Sequence, residues 1–172
     1  MDAEELLQRY AAGERDFTRA NLSNIDLSGA DLREINLTSA VLEGANFDGA
    51  DLSRAILRQA KMTGVSLFST NLEEADLRGA KLFDAGLRET NLRSANLEGA
   101  SLIETTLRDV NLEGANLKGI SWGDTSWLIN ANLRGAFWED IDGYPLRRDT
   151  IMPNGEIVTD EIELPDGSKI TL

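Results

Sequence analysis

The 172-residue sequence predicts an all-β solenoid, and three observations carry that reading. Leu or a close substitute recurs every five residues from Phe17 through Leu22, Leu27 and Leu32 to Trp127, making 23 consecutive units; after one extra residue the pattern resumes at Leu133 and Trp138, making 25. Two positions before each central residue stands a small one, Ala in 15 of the 25 units. Gly closes many units, as at Gly29, Gly44, Gly49, Gly79, Gly99, Gly114 and Gly119. A helix does not fit, because at about 100° per residue each Leu would land roughly 140° from the last and no face would be apolar. In extended chain, residues two apart share a side, so the Ala and Leu of each unit point inward while the other residues turn the corner. Some such turns need φ above zero, which suits Gly. Repeated turning in one sense gives a coil that can stack only on its neighbours.

The units Ala30-Asp31-Leu32, Ala75-Asp76-Leu77 and Ala95-Asn96-Leu97 typify a run, Ala-(Asp/Asn)-Leu-x-x, that resembles the pentapeptide-repeat family over about seven-tenths of the chain. The resemblance implies a right-handed quadrilateral β-helix with four units per coil. Twenty-five units then make about six coils, a rod about 30 Å long at roughly 4.8 Å per coil. Leu37, Leu57, Leu77, Leu97 and Leu117, twenty residues apart, become one column of the structural core.

The elements follow in order. Residues 1–14 form an N-terminal helical cap: Glu4 to Tyr10 reads as a short amphipathic helix, with Leu6, Leu7 and Tyr10 covering the first coil, as in cyanobacterial members that the chain resembles. Residues 15–139 form the β-helix, and residues 140–172 a C-terminal capping segment. Trp122, Trp127 and Trp138, with Phe137 and Tyr144, are expected to plug the core, because an open solenoid end exposes apolar surface and strand edges. Beyond them, the segments 152–159 and 164–171 echo each other at a spacing of twelve, and their Pro-Asn-Gly and Pro-Asp-Gly turns predict a small β-meander over that end, with a mobile acidic tail as the alternative. Leu128 and Ile129, bordering the extra residue, are expected to pack beneath the meander.

Composition narrows the function. The chain has no His and no Cys, which removes imidazole acid–base chemistry, thiol nucleophiles, thiolate or imidazole metal sites and disulfides. No cofactor or metal is expected. The net charge of −13 divides into −3 over residues 1–16, −4 over 17–138 and −6 over 139–172, so the rod itself is nearly balanced. Its start is acidic and lacks the apolar run of a secretory signal, and nothing approaches a membrane span; the expectation is a cytoplasmic protein with no membrane or nucleic-acid partner.

Residues twenty apart stack, so outer columns can be read from the sequence. Arg33, Ser53, Glu73, Arg93, Glu113 and Arg134 predict a salt-bridge ladder. Asp31, Asp51, Asn71, Asn91, Asn111 and Asn132 predict side chains bonded to backbone or stacked as an amide ladder, the alternative being a cation held by Asp31 and Asp51. Apolar residues stand at the outward positions Val41, Ile56, Phe68, Phe83 and Ile103; Val41, Phe68, Phe83 and Ile103 are the candidate partner patch, with Val41, Phe83 and Ile103 on one face. The function expected is a non-catalytic protein-interaction or scaffolding module, monomeric, with a protein partner. The alternative comes from the resemblance: quinolone-resistance members of the family look like B-form DNA and bind type II topoisomerases. That mimicry calls for a strongly acidic rod, and bases such as Arg58 and Arg78 stack on one face here.

Overall fold

The computed structural model describes residues 1–123, 125–163 and 169–171. Parallel bridges join residues twenty apart without interruption along the repeat, for instance Asp16 to Asn36, Asn36 to Ile56 and Ile56 to Asp76. Twenty residues are four units, so each coil has four faces. The N–H of each central residue donates to the next coil, as Leu52 does to the Asn71 carbonyl at 2.7 Å, and the N–H before it donates to the previous coil, as Asp51 does to Ala30 at 2.9 Å. Backbone polar groups are thereby satisfied between coils. The chain is a repeat β-helix.

The inward columns are the central residues and the small residues two before them. The first face is centred on Leu37, Leu57, Leu77, Leu97 and Leu117, the second on Leu42, Met62, Leu82, Leu102 and Trp122, the third on Phe47, Leu67, Leu87 and Leu107, and the fourth on Leu52, Leu72, Leu92, Leu112 and Leu133; none is more than 1 % exposed. Where Thr replaces Ala, its hydroxyl finds a carbonyl in the core: Thr70 Oγ1 donates to Phe47 O at 2.7 Å and Thr90 Oγ1 to Leu67 O at 2.8 Å.

Most corners are β-turns closed by a bond such as Ala55 N–H to Leu52 O, 3.0 Å. Their last residue is left-handed, with φ of 66° at Gly29 but also 60° at Glu34 and 59° at Glu74. Gly therefore marks only some of the corners. The rest hold a non-glycine residue in a conformation disfavoured by its Cβ.

At the N-terminal end α1 (Ala3–Ala11) is capped by Asp2, whose carboxylate accepts from Glu5 N–H at 2.9 Å. Leu6 is fully buried in the core, and the Tyr10 hydroxyl donates to the Arg33 carbonyl at 2.9 Å. Leu7 departs from expectation: it is 38 % exposed and points away from the coil.

At the other end the phase differs from the sequence reading. Leu128, not Trp127, is the central residue of its unit: in the parallel ladder of β1 (Thr106–Arg108), β2 (Trp127–Ile129) and β3 (Leu146–Arg148), Leu107 pairs with Leu128 and Leu128 with Arg147. The extra residue thus lies before Ser126, which is buried and donates to Leu102 O at 2.8 Å. Leu128 is core, fully buried, while Trp127 is turned outward and half-buried. Trp122 is fully buried and Trp138 packs against it with ring centroids 5.5 Å apart, but Phe137 and Tyr144 project outward, 45 % and 77 % exposed. Coil stacking continues past residue 139, with Asn132 bridged to Ile151. Two antiparallel hairpins follow, β4 (Thr150–Ile151) with β5 (Ile157–Val158) and β6 (Glu161–Glu163) with β7 (Lys169–Thr171). The Pro-Asp-Gly turn falls in 164–168, outside the described residues.

In the last coil the inward position opposite Leu128 belongs to Arg147. Its guanidinium makes a two-point contact with Asp160, Nε at 3.0 Å and Nη2 at 2.7 Å, while the Arg147 N–H donates to the same carboxylate at 2.8 Å. The third-face column therefore ends in an ion pair.

Candidate functional site

Outward side chains on a four-sided rod are fixed by the ladder beneath them. Asp or Asn one position before the central residue accepts, through Oδ1, the N–H two residues on: Asp51 from Ser53 at 2.9 Å, Asn91 from Arg93 at 3.2 Å, Asn116 from Lys118 at 3.1 Å. Those carboxamides also stack. Asn71 Nδ2 donates to Asp51 at 3.1 Å, Asn91 to Asn71 at 3.0 Å, Asn111 to Asn91 at 3.3 Å and Asn132 to Asn111 at 3.4 Å. Asp31 is engaged bidentately by Arg33, and no cluster of three or more potential metal ligands occurs among the described residues.

The predicted salt-bridge ladder forms at one rung only, Arg93 to Glu73 at 3.7 Å. Arg33 turns to its own Asp31 at 2.7 Å, because Ser53 above it offers no charge. The neighbouring corner column makes the longer network, with Arg54 between Glu74 at 2.9 Å and Glu34 at 3.8 Å. On the first face Asp76 is clamped by Arg58 at 2.6 Å and Arg78 at 2.8 Å. Burial pushes the Asp76 carboxyl up, but the guanidinium hydrogen bonds prevail and hold it at about 2.

The apolar candidates divide. Phe83 and Ile103 follow the second-face central residues Leu82 and Leu102, stand in one outward column, and are 39 % and 37 % exposed. Phe68, 41 % exposed, stands on the third face, with the Arg88 guanidinium 5.6 Å from its ring centroid. Val41 is half-buried and does not join them: its bridged column runs Val41, Lys61, Lys81, Ser101, so Lys61 intervenes and Lys81 stands at the level of Phe83. The column of Phe83 and Ile103 ends at Gly123, where a Cβ would lie 3.0 Å from Ile103 Cγ2.

The sequence reading missed a break in the third face. Gly86 holds the outward position usually given to Asp or Asn, and a shallow depression of about 350 Å³ opens there, bordered by Arg88 and Arg108 on one side and Asp84 and Glu104 on the other. Gly86 lies outside the left-handed region, and a Cβ there would come no nearer than 3.9 Å to its surroundings. Neither φ nor space calls for glycine.

The family model for pentapeptide repeats matches residues 16–54, 45–82 and 80–119 in 8 copies, more than half of the chain. The chain belongs to the pentapeptide-repeat family. Among solved structures of such proteins it is 26 % identical to Rfr23 from the cyanobacterium Cyanothece 51142, over 85 % of this chain and 99 % of that one, with a TM-score of 0.50. It is 27 % identical to HetL, a pentapeptide repeat protein involved in heterocyst differentiation regulation from the cyanobacterium Nostoc sp. strain PCC 7120, over 92 % of this chain and 100 % of that one, with a TM-score of 0.40. QnrB1, a plasmid-mediated fluoroquinolone resistance protein, is 16 % identical over 75 % of this chain and 77 % of that one, with a TM-score of 0.38. No match to a curated protein sequence is found. Among the described residues no helix is long and apolar enough to cross a membrane.

Proposed function

We propose that this pentapeptide-repeat protein is a non-catalytic interaction module whose contact surface is the third face, with Phe83 and Ile103 at the edge it shares with the second face and Phe68 at the edge it shares with the fourth. Supporting it is the placement of Phe68, Phe83 and Ile103, each more than a third exposed, on neighbouring coils of a repeat whose other outward positions are mostly polar. A rigid ladder holds these side chains in place before binding, which lowers the ordering cost of association. Val41 is left out of the contact. The reading keeps right-handed winding, about six coils and a monomer in the cytoplasm, with a protein partner and no cofactor.

The topoisomerase reading is second. A DNA mimic needs a continuous acidic surface, and the cations Arg54, Arg58, Arg78 and Arg93 are interleaved with the acids of the first and fourth faces. A gyrase supercoiling assay is expected to run unchanged at micromolar protein. Protection or inhibition there would restore that reading. The test of the first is affinity capture with intact protein and with the Phe83→Ser/Ile103→Ser variant: partners held by the intact protein are expected to be lost from the variant, and equal capture would exclude this surface.

A further inference from the structure

The molecule shows how one of its units holds a carboxylate. In Asp31-Leu32-Arg33, Asp31 Oδ1 accepts the Arg33 N–H at 3.4 Å and its Nε at 2.8 Å, while Oδ2 accepts Nη2 at 2.7 Å. Asp76-Leu77-Arg78 repeats this arrangement at 3.3, 2.9 and 2.8 Å. One backbone N–H and the side of one guanidinium, two residues on, thus grip a single carboxylate. Gly86-Leu87-Arg88 has the same backbone, with Gly86 bridged to Ser66 and Thr106 in the regular register, and the same Arg, but no carboxylate.

We propose that the Gly86 depression binds a carboxylate side chain of an acidic peptide partner, which takes the place that Asp31 and Asp76 occupy in their own units. Four observations converge. Gly86 is required by neither φ nor packing. Among the described residues no side chain accepts the Arg88 N–H, whereas Asp31 and Asp76 accept those of Arg33 and Arg78. Arg108, one coil on in the same column, makes no ion pair among the described residues and supplies a second guanidinium at the rim. Phe83 lies three residues before Gly86 on the same coil and Phe68 and Ile103 on the coils on either side, so an acidic residue seated at Gly86 would bring an adjacent apolar residue onto them. Arg88 now reaches Glu89 at 3.1 Å, an exposed contact that is easily exchanged. Asp84 and Glu104 on the opposite rim repel a second acid there, so the site takes one carboxylate, oriented toward Arg88 and Arg108. Charge-assisted bonds of this kind are roughly twice as strong as neutral ones.

The inference rests on the interaction-surface reading and adds the chemistry of the partner. Its test is a ¹⁵N–¹H titration with two blocked dipeptides, N-acetyl-Phe-Asp-amide and N-acetyl-Phe-Asn-amide. The Asp peptide is expected to shift the Arg88 backbone amide and the Arg88 and Arg108 Nε–H resonances, with the Asn peptide about tenfold weaker. Gly86→Asp restores the carboxylate from within, has room for its Cβ, and is expected to weaken the Asp peptide by about tenfold or more while leaving the fold intact. Equal binding of the two peptides, unchanged binding by Gly86→Asp, or no response at Arg88 would overturn the proposal. If both peptides instead shift Phe83 and Ile103 alike in both proteins, the carboxylate site falls and the apolar contact surface stands. If the notch behaves as expected but Phe83→Ser/Ile103→Ser captures the same partners, the contact surface falls and the notch stands.

Discussion

At the N-terminal end the core is covered by Leu6, fully buried, on a helix fixed by its Asp2 cap; at the C-terminal end the third-face column closes on Arg147, tied to Asp160. One end of this stack is closed by apolar area, and one face of the other by an ion pair. The difference is one of sensitivity. The Leu6 contact itself carries no titrating group, though the Asp2 cap and the Arg9–Glu14 pair beside it do, whereas a charged pair holds only while both partners are ionised and is expensive to leave half-paired.

The largest effect should come from the apolar end. Leu6→Ala removes a side chain packed on the first coil and is expected to cost about 2 to 4 kcal/mol, read as a lowered denaturation midpoint with early loss of protection around residues 17–35. At the other end Asp160→Asn is expected to cost about 1 to 2 kcal/mol, confined to faster amide exchange in residues 146–160, because the pair is partly open to water. Loss of protection along the whole rod in that variant would show that the two ends are not independent.

Acid should loosen the C-terminal pair without mutation. The hydrogen bond from Arg147 holds the Asp160 carboxyl below the usual carboxylate range. A group depressed in the folded state contributes stability that is complete above its unfolded value of about 3.9 and is lost as pH falls through the folded one. Exchange at 146–160 is therefore expected to rise below about pH 4, and Asp160→Asn is expected to abolish that rise. An unchanged acid response in Asp160→Asn would contradict the role given to this pair.

What was legible in the sequence follows from the same physics. The five-residue recurrence exposes the solenoid because every unit must present two inward side chains, and the Asp31-to-Asn132 column announces its hydrogen bonds because Asp and Asn suit that turn. The last coils were harder. Trp127 lies in phase with Phe17 through Trp122, and both Trp127 and Leu128 are apolar, so periodicity alone could not choose between them; counting back by fives from Ala131 and Leu133 reaches Ser126 and Leu128, the registration that the ladder adopts. Arg147 at a core position is invisible because only Asp160, thirteen residues on, makes it tolerable. In the candidate site the apolar residues drew notice as exceptions to a polar pattern, whereas Gly86 did not, since glycine in a repeat rich in glycine corners reads as another turn.

Smaller effects test the regular middle against the ends. Asn91→Ala, which removes one rung of the carboxamide stack and the acceptor for Arg93 N–H, is expected to cost about 1 kcal/mol by chemical denaturation. Ser94→Gly relieves a corner at φ 55° and is expected to stabilise by about 0.5 kcal/mol, after the added freedom of the unfolded chain is set against it.

The measurement that bears most directly on the whole reading is partner capture by intact protein and by Phe83→Ser/Ile103→Ser, with matched denaturation curves to show that both are folded. Associations made by the intact rod are expected to disappear from the folded variant. Undiminished capture by that variant would contradict it.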